Sequence, residues 1–293
     1  MVLIKLQGGL GNQMFQYAFA SILAKKNNTK LVIEDSIYTI IDKKEGYTPR
    51  SFELSIFDNE YNFAKKSDIT LFTNLSLLHK VKRKFKLNYP KKIDEQTFEY
   101  SSKLNSLKAP VFATGYFQSY KYFIGYEKYI KDLFVFPVDK LSKENIGLIP
   151  VLQNNNTIAI HIRRGDYVTD KVTNQFHGIC SFEYYEEAIL KITSKIDNPN
   201  LVFFSDDPQW VKENFEGFPF NKIFIAHNKG LNSWADMFLM SICSHNIIAN
   251  SSFSWWGAWL NNNPEKIVVA PKDWFQAKDI DINSIIPEEW VII

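Results

Sequence analysis

The spacing of apolar and polar positions changes several times along the chain, and each change marks a predicted element. Residues 2–7 are mostly apolar and predict a strand, and the glycine-rich residues 8–11 predict a tight turn after it. Apolar residues then recur at helical spacing from Phe15 to about Lys26, and residues 31–35 predict a second strand. This order is typical of a parallel sheet with covering helices.

The middle of the chain has a less regular pattern. Residues 40–110 predict little beyond short helices and loops. Residues 111–123, VFATGYFQSYKYF, predict a strand that ends in a loop rich in Tyr and Phe. Residues 133–156 contain prolines and three consecutive asparagines, so they predict the crossing between two domains.

From Thr157 onwards, short apolar runs alternate with amphipathic stretches. The runs predict strands at TIAIHIRR, LVFFSDD, KIFIA, NIIAN and KIVVAP, and the stretches between them predict helices at SFEYYEEAILKITSKI, PQWVKENF, LNSWADMFLMSICS and SFSWWGAWLNN. Short apolar strands that alternate with helices indicate a doubly wound, Rossmann-like domain. We therefore expect an α/β protein.

Length and composition agree with two such domains. The chain has 293 residues, of which 45% are hydrophobic and 23% charged, as in an ordinary globular protein. We predict two Rossmann-like domains that face each other across a cleft. Residues 1–145 would form the first domain and residues 146–293 the second.

The formal net charge of +2 argues against a nucleic-acid partner. One segment, residues 79–92, nevertheless carries seven Lys and Arg in fourteen residues. Such a run is typical of a solvated face, and it could also rest on an anionic membrane surface.

The two cysteines, Cys180 and Cys243, are too few for a disulfide framework, and no Cys/His spacing indicates a metal site. The first residues lack the basic and apolar regions of a signal peptide, and no apolar run is long enough to span a membrane. We therefore expect a protein of the reducing cytoplasm that holds no metal.

The segment HIRRGDY, residues 161–167, places two arginines at the carboxyl end of a predicted strand, where open parallel sheets bind ligands. Arg163 and Arg164 can hold phosphate oxygens bidentately. His161 can donate to a ribose or phosphate oxygen, and Asp166 can orient an arginine or accept from a hydroxyl. The alternatives are a structural Arg–Asp ion pair beside an inward-facing histidine, and an RGD adhesion motif.

The segment FFSDDPQW places Asp206 and Asp207 after the next predicted strand. A carboxylate here can accept from the N1–H and N2–H groups of guanine, which would select that base. The alternatives are ligation of a divalent metal on a nucleotide-sugar pyrophosphate and a helix N-cap before Pro208.

The segment ANSSFSWW places Ser251 and Ser252 between a strand and the start of a helix. Hydroxyl groups and unpaired backbone N–H groups at a helix N-terminus can form an anion site. The alternative is that one serine is only a cap. The three tryptophans that follow, at positions 255, 256 and 259, are interpreted as core residues.

The N-terminal segment GGLGNQ does not have the spacing of the dinucleotide fingerprint GxGxxG. Its glycines, among them Gly9 and Gly11, would let the backbone approach a ligand. Asn12 and Gln13 would then supply polar contacts. The alternative is a tight turn that only starts the helix.

Five segments together resemble the bacterial α-1,2-fucosyltransferases, which form glycosyltransferase family 11. They are GGLGNQMFQYAFA, GYFQSYKYF, HIRRGDYV, HGICSFEYYEEAI and ANSSFSWWGAWLNNNPEKIVVAPKDW. The resemblance implies a GT-B fold, with the acceptor on the N-terminal domain and GDP-L-fucose on the C-terminal domain. It implies metal-independent, inverting transfer, without a cofactor, to the 2-hydroxyl of a terminal galactose in a glycan such as an O-antigen or lipopolysaccharide.

The resemblance also implies roles for single residues. Arg163 and Arg164 match the arginines of the HxRRxD motif that hold the donor pyrophosphate. His161 matches the histidine near the ribose or guanine. Asp206 or Asp207 matches the aspartate that reads guanine.

Further matches concern the phosphate side and the reacting sugar. The phosphate-side loop corresponds to Ser251, Ser252 and Phe253, and Asn12 corresponds to the asparagine near the reacting sugar, with Gly9 and Gly11 beside it. Arg163, Asp166 and Asn12 are the expected catalytic residues. The base that takes the proton of the acceptor hydroxyl stays unassigned, with Asp166 and His161 as candidates.

The sequence departs from the eukaryotic members of the family, which carry an N-terminal membrane anchor. This departure favours action in the cytoplasm, and the basic run would suit a peripheral encounter with the inner membrane face or a lipid-linked acceptor. Two alternatives stay open. One is a fucosyltransferase of another linkage or a nucleotide-dependent oxidoreductase, and the other is a glycan-binding protein without catalytic activity.

Overall fold

The computed structural model describes residues 1–39, 50–74, 89–153, 156–165, 178–276 and 282–293. They fall into two compact units. The N-terminal unit holds the described residues up to Val135 together with Asn283–Ile285, and the C-terminal unit holds the other described residues from Phe136 onwards. This division lies before the predicted domain boundary at 145/146.

The N-terminal unit is built on a four-stranded parallel sheet in the order β2-β1-β4-β3. Its strands are β1 (Val2–Lys5), β2 (Leu31–Glu34), β3 (Lys91–Asp94) and β4 (Val111–Thr114). Its helices are α1 (Leu10–Lys26), α2 (Lys66–Thr73), α3 (Ser102–Asn105) and α4 (Glu127–Leu133). Helix α1 is buried on nearly every face up to Ala24, and its basic last turn, Lys25 and Lys26, suits the negative end of the helix dipole.

The C-terminal unit is built on a six-stranded parallel sheet in the order β10-β9-β8-β5-β6-β7. Its strands are β5 (Thr157–Ile162), β6 (Asn200–Ser205), β7 (Asn221–Ile225), β8 (His245–Ile247), β9 (Val268–Ala270) and β10 (Val291–Ile292). Its helices are α5 (Lys143–Leu152), α6 (Phe182–Thr193), α7 (Pro208–Phe215), α8 (Trp234–Ser241) and α9 (Ser252–Trp259).

The strand order of the C-terminal sheet decides where a ligand can bind. The first strand, β5, is central: β6 and β7 follow on one side of it, whereas β8, β9 and β10 follow on the other. This is the Rossmann order, and the chain changes direction between β5 and β8. Doubly wound sheets bind ligands at this change of direction, outside the carboxyl ends of the strands.

The core of the C-terminal unit explains why β5 is a nearly continuous apolar run. All six of its residues are buried. Ile158, Ile160 and Ile162 pack in one cluster with the buried face of α6, which includes Tyr185 and Ile189. Because helices cover both faces of a parallel sheet, its central strands carry apolar residues at successive positions.

The structure departs from the predicted elements in two places. The predicted domain crossing, residues 133–156, contains helix α5, which begins after Ser142 where the serine Oγ accepts the N–H of Asn145 at 3.2 Å. The second departure is the polar strand β3, which the sequence pattern did not predict. It lies at the sheet edge with mostly exposed side chains, so burial imposes no apolar pattern on it.

The α/β fold with parallel sheets is confirmed. The tryptophans at positions 255 and 256 are fully buried, as their interpretation as core residues requires. Within the described residues, no helix combines the length and the apolar character needed to cross a membrane. The basic run falls mostly on residues 79–88, which lie outside the described residues, and only its end reaches β3.

Candidate active site

Two ion pairs join the carboxyl ends of the neighbouring strands β5 and β6. Arg163 Nη1 lies 2.7 Å from Asp206 Oδ2, and Arg164 Nε lies 3.1 Å from Asp207 Oδ2. The four side chains, which we call the charge cluster, are between 21% and 34% exposed. Because solvent reaches them, a ligand can reach them as well.

Backbone contacts hold the charge cluster in place. Asp206 Oδ1 accepts the N–H groups of Arg164 and Gly165 at 2.9 and 3.0 Å. Ser205 Oγ donates to the carbonyl of Ile162 at 2.8 Å and accepts the N–H of Asp207 at 3.0 Å. The loops after β5 and β6 are therefore tied to each other where the strands end.

Asp207 also begins helix α7. Its Oδ1 accepts the N–H of Trp210 at 3.2 Å, and Pro208 occupies the first turn, as is common at a helix start. The ring of Trp210 lies 4.2 Å from the guanidinium carbon of Arg164. The carboxylate and the indole together fix the plane of this guanidinium group.

His161 is the buried member of the site. Burial lowers the pKa of its imidazole to about 4, although the Asp206 carboxylate acts in the opposite direction. Its Nδ1 has no hydrogen-bond partner among the described residues, and its ring lies 5.7 Å from the ring of Phe253. The Tyr185 hydroxyl donates to its carbonyl at 3.2 Å, so the backbone here is held from the core side.

The loop after β8 supplies a third group of predicted residues. Ser251 caps helix α9, because its Oγ accepts the N–H of Phe253 at 3.3 Å, and Ser252 is the first residue of that helix. Asn250 is buried and donates to the carbonyls of Gly178 and Trp274 at 3.3 and 3.4 Å.

The predicted residues of the C-terminal unit thus gather at the carboxyl ends of three neighbouring strands, β8, β5 and β6. This is the change of direction identified in the sheet. Asp166 lies outside the described residues. Gly9, Gly11 and Asn12 belong to the N-terminal unit.

In the N-terminal unit, the glycine turn connects β1 to α1. Gly8 has a positive φ of 79°, and a side chain there would meet Asn12. Gly9 precedes the helix and Gly11 is buried inside it, while the N–H of Leu10 donates to Glu53 Oε2 at 3.3 Å. Because a carboxylate already occupies this helix N-terminus, the turn has little capacity for a phosphate.

Asn12 is paired with a residue that the sequence pattern did not single out. Gln118 Nε2 donates to Asn12 Oδ1 at 2.7 Å. Since Gln118 lies in the loop after β4, this contact joins the carboxyl ends of β1 and β4, which are neighbours in the sheet.

The charge balance around Asp206 and Asp207 bears on the metal alternative. Each carboxylate faces a guanidinium group, an arrangement that suits an anionic ligand better than a cation. Among the residues that the structure describes, no group of three or more His, Cys, Asp and Glu side chains is placed to hold a metal ion.

A cavity of about 610 Å³ lies at the carboxyl ends of β9 and β10. The loop before α6, from Gly178 to Ser181, and residues 271–276 form most of its wall. No predicted site residue in the described ranges lines it. The charge cluster is therefore identified from strand order and side-chain contacts, and not from the position of this cavity.

Sequence reasoning missed two residues that shape the site: Tyr185 and Trp210. Tyr185 lies on the apolar face of α6, so its pattern indicates only core. Trp210 stands three positions after Asp207, in the first turn of the helix that Asp207 caps. Its position in that turn, next to the strand end, is the signal that could have identified it.

Comparisons with known proteins add to this geometry. The model of glycosyl transferase family 11 matches residues 1–293. An alpha-1,2-colitosyltransferase of Escherichia coli is 34% identical over 299 aligned residues, which cover 100% of this chain and 99% of the relative. The O-antigen biosynthesis glycosyltransferase WbnK of Escherichia coli is 37% identical over 92% of this chain and 93% of the relative.

The solved structures show likeness of fold. The crystal structure of POFUT1 in complex with GDP matches 92% of this chain and 97% of its own chain, with a TM-score of 0.52 and 12% identity. At this identity the match shows the fold alone. The fold class is thereby confirmed as the GT-B type found in fucosyltransferases.

Proposed function

Because the chain belongs to glycosyl transferase family 11, we propose that it transfers L-fucose from GDP-L-fucose to the 2-hydroxyl of a terminal galactose in a glycan. The name of the colitosyltransferase relative supports an α-1,2 linkage. The name of WbnK supports an O-antigen oligosaccharide as the acceptor. In this proposal the transfer inverts the anomeric carbon and needs no metal.

One observation carries the proposal: two guanidinium groups stand at the carboxyl end of β5 and pair with two carboxylates at the end of β6, at the change of direction of a Rossmann-type sheet. A nucleotide diphosphate is the anion that such a position accommodates. As the sugar departs, negative charge accumulates on the β-phosphate. Arginines that bind this charge more strongly as it develops lower the barrier to transfer.

The ion pairs leave the arginines able to bind phosphate. A guanidinium group has five N–H donors, and its contact with one carboxylate does not exhaust them. The carboxylates instead fix the orientation of the two guanidinium groups before the donor binds. Preorganised donors of this kind cost no rearrangement during the reaction.

Guanine recognition falls to Asp207 more readily than to Asp206. Asp206 accepts two backbone N–H groups and the Arg163 ion pair, so three of its roughly four acceptor positions are in use. Asp207 accepts one backbone N–H and one ion pair. It therefore keeps more capacity for the two N–H groups of guanine.

The remaining roles are proposals by position. His161, neutral at physiological pH because of its burial, would contact the ribose or base. The phosphate-side loop would comprise Ser251, Ser252 and Phe253. Asn12, with Gly9 and Gly11, would lie near the reacting sugar in the N-terminal unit, which takes the acceptor. Asp166 stays a candidate base, and action at the cytoplasmic membrane face through the basic run stays a hypothesis.

A second donor follows from the relative whose name includes colitose. Colitose is fucose without the 3-hydroxyl, so both sugars present the same 2-hydroxyl and the same methyl group at C5. A nucleotide-binding site of the kind described here would accept GDP attached to either. Selection between the two donors would depend on the side chains that contact the 3-hydroxyl of fucose.

The test is to incubate the protein with GDP-fucose or GDP-colitose, a β-galactoside acceptor and EDTA, and to follow GDP release and product linkage by NMR. Arg163→Lys is assayed beside Lys191→Ala, a matched removal of an exposed cation on α6. We expect a 2-O-linked product that depends on Arg163. Loss of one transition-state donor costs ~3–4 kcal/mol, on the order of 10²–10³ in rate.

Each outcome decides something. GDP release without glycosylated product would retain the donor and exclude the galactoside. Equal rates for Arg163→Lys and Lys191→Ala would contradict the role of the charge cluster. No GDP binding by calorimetry would overturn the proposed donor.

A further inference from the structure

Side chains tie together the three loops that follow β1, β4 and β3 in the N-terminal sheet. The Gln16 amide accepts the N–H of Gln7 at 3.0 Å and donates to the carbonyl of Gly115 at 3.0 Å. The Gln118 amide donates to Asn12. Gln16 thus links the loop after β1 to the loop after β4, and Gln118 links the loop after β4 to the first turn of α1.

Glu95 makes the corresponding link from β3 to β4. It is the first residue after β3, and its Oε2 accepts the N–H groups of Tyr116 and Phe117 at 2.6 and 3.0 Å, while Oε1 lies 3.2 Å from the Phe117 nitrogen. The backbone of Gly115 packs directly against the glutamate side chain. A Cβ at Gly115 would collide with Glu95, so the fit requires glycine.

The environment of Glu95 is unusual for a carboxylate. Burial raises its pKa to about 7, and the two backbone N–H groups act in the opposite direction without cancelling the effect. The titratable groups that face it are the phenols of Tyr116 and Tyr122. Within the described residues no Lys or Arg pairs with it, since the neighbouring Lys92 pairs with Asp94.

The backbone that Glu95 holds is strained. Phe117 has a φ of 52°, in the left-handed region that bulky side chains rarely adopt. Its ring is fully buried and stacks on Phe19 at 4.1 Å, so the ring anchors one side of the loop. The Glu95 carboxylate anchors the other side through the Phe117 N–H. Strain of this kind persists only where the surroundings over-determine the conformation.

The strained turn sets the positions of two side chains at the carboxyl edge of the sheet. Tyr116 is half-buried and stacks on Phe98, with ring centres 6.0 Å apart and planes at 19°. Gln118 is buried and donates its amide N–H to Asn12 in the first turn of α1. A tyrosine ring and a pair of amides, both positioned by one loop, are groups that can contact an uncharged ligand with apolar C–H faces and hydroxyl groups, as a sugar ring has.

We propose that Glu95 is a positioning residue for the acceptor glycan, because it holds the 115–118 loop so that Tyr116 and Gln118 receive a sugar ring. This inference rests on the proposed function, since it assigns the acceptor to the N-terminal unit. Glu95 acts through the loop and does not touch the reacting atoms.

The experiment compares Glu95→Ala and Glu95→Gln with Glu99→Ala, a matched removal of an exposed carboxylate four positions along the same segment. The KM for the galactoside acceptor is measured at saturating GDP-fucose, and the affinity for GDP is measured by calorimetry. We expect Glu95→Ala to raise the acceptor KM about tenfold, equivalent to one lost contact, with GDP affinity unchanged within about twofold. Glu99→Ala should behave as the wild type.

The pH profile separates this role from a purely structural one. The wild-type acceptor KM should rise as pH rises through about 7, because ionisation of a desolvated carboxylate destabilises the folded environment that holds the 115–118 loop. Glu95→Gln keeps one acceptor oxygen and cannot titrate, so its profile should be flat across this range. If Glu95→Ala does not fold, the flat profile of Glu95→Gln carries the test.

Failure of the inference and failure of the proposed function look different. An unchanged acceptor KM in Glu95→Ala, or a wild-type profile retained in Glu95→Gln, would overturn the inference while transfer itself stood. A wild-type protein that binds no GDP and transfers no sugar would overturn both.

Discussion

The carboxyl ends of the two sheets carry different sets of charged and polar side chains. In the C-terminal unit, two guanidinium groups stand against two carboxylates at the ends of β5 and β6. In the N-terminal unit, amides join the loops after β1 and β4, and one carboxylate without a cationic partner among the described residues holds a strained turn. Under the proposed function, the first arrangement would suit the anionic donor and the second a neutral acceptor.

Burial shifts the pKa values of His161 and Glu95 in opposite directions. It lowers the pKa of His161 to about 4 and raises the pKa of Glu95 to about 7. Desolvation favours the neutral form in both cases, so the histidine resists protonation and the carboxylate resists ionisation. The same physical cause therefore gives the two units opposite responses to pH.

The largest effect is expected from a substitution in the charge cluster of the C-terminal unit. Asp206→Asn keeps an oxygen for the N–H groups of Arg164 and Gly165 but removes the charge that orients Arg163. We expect kcat/KM to fall on the order of 10²-fold, as for loss of an oriented transition-state donor, with the acceptor KM unchanged. Steady-state kinetics with each substrate varied in turn checks this. A change confined to the acceptor KM would contradict the division of roles.

A second prediction sharpens the contrast in pH response. His161 has a lowered folded pKa, so its contribution to stability is present above about pH 6.5 and is lost as pH falls toward 4. The loss amounts to about 2 kcal/mol by pH 5. Glu95 has a raised folded pKa, so its contribution is present at low pH and is lost as pH rises through about 7.

Hydrogen exchange read separately for β5 and β4 measures these contributions, because it reports local stability in each unit. His161→Gln should remove the acid loss of protection at β5 only. Glu95→Gln should remove the loss at β4 as pH rises. Identical pH profiles in the two strands would show that the local environments do not control the response.

The smallest predicted effect uses a pair of glycines. A Cβ at Gly165 would lie 2.7 Å from Asp206 Oδ2, and a Cβ at Gly115, where φ is +153°, would collide with Glu95. Gly165→Ala should weaken GDP binding about tenfold and leave the acceptor KM unchanged, whereas Gly115→Ala should do the reverse. Calorimetry with GDP and acceptor kinetics check both. If both variants affected the same substrate, the assignment of donor and acceptor to different units would be contradicted.

The sequence was informative wherever burial imposed a pattern. Strands β5 and β6 are continuous apolar runs because helices cover both faces of the sheet, and their carboxyl ends could be located from the polar residues that follow. The convergence of Arg163 and Asp206 follows from parallel neighbouring strands. Which arginine pairs with which aspartate depends on side-chain torsions that no spacing reveals.

The rest of the site depends on contacts far apart in the sequence. Glu95 follows a polar edge strand and stands in no recognisable motif, so only its contact with the loop 21 residues later shows its position. The strain at Phe117 is equally invisible, because nothing in the sequence marks a bulky residue for a positive φ. The predicted crossing at 133–156 contains the division between the two units after Val135, but its later apolar residues form helix α5, which the proline and asparagine pattern did not predict.

The edge strand β3 has a further consequence, for the behaviour of the protein in concentrated solution. An edge strand presents unpaired N–H and C=O groups on which a foreign strand can assemble. Lys91, Lys92 and Asp94 are exposed along this edge, and an added strand would have to remove their hydration. The polar side chains that prevented the prediction of β3 therefore also oppose edge-to-edge aggregation. Replacing these three residues with β-branched apolar ones should lower the solubility of the protein without a change in ligand affinity.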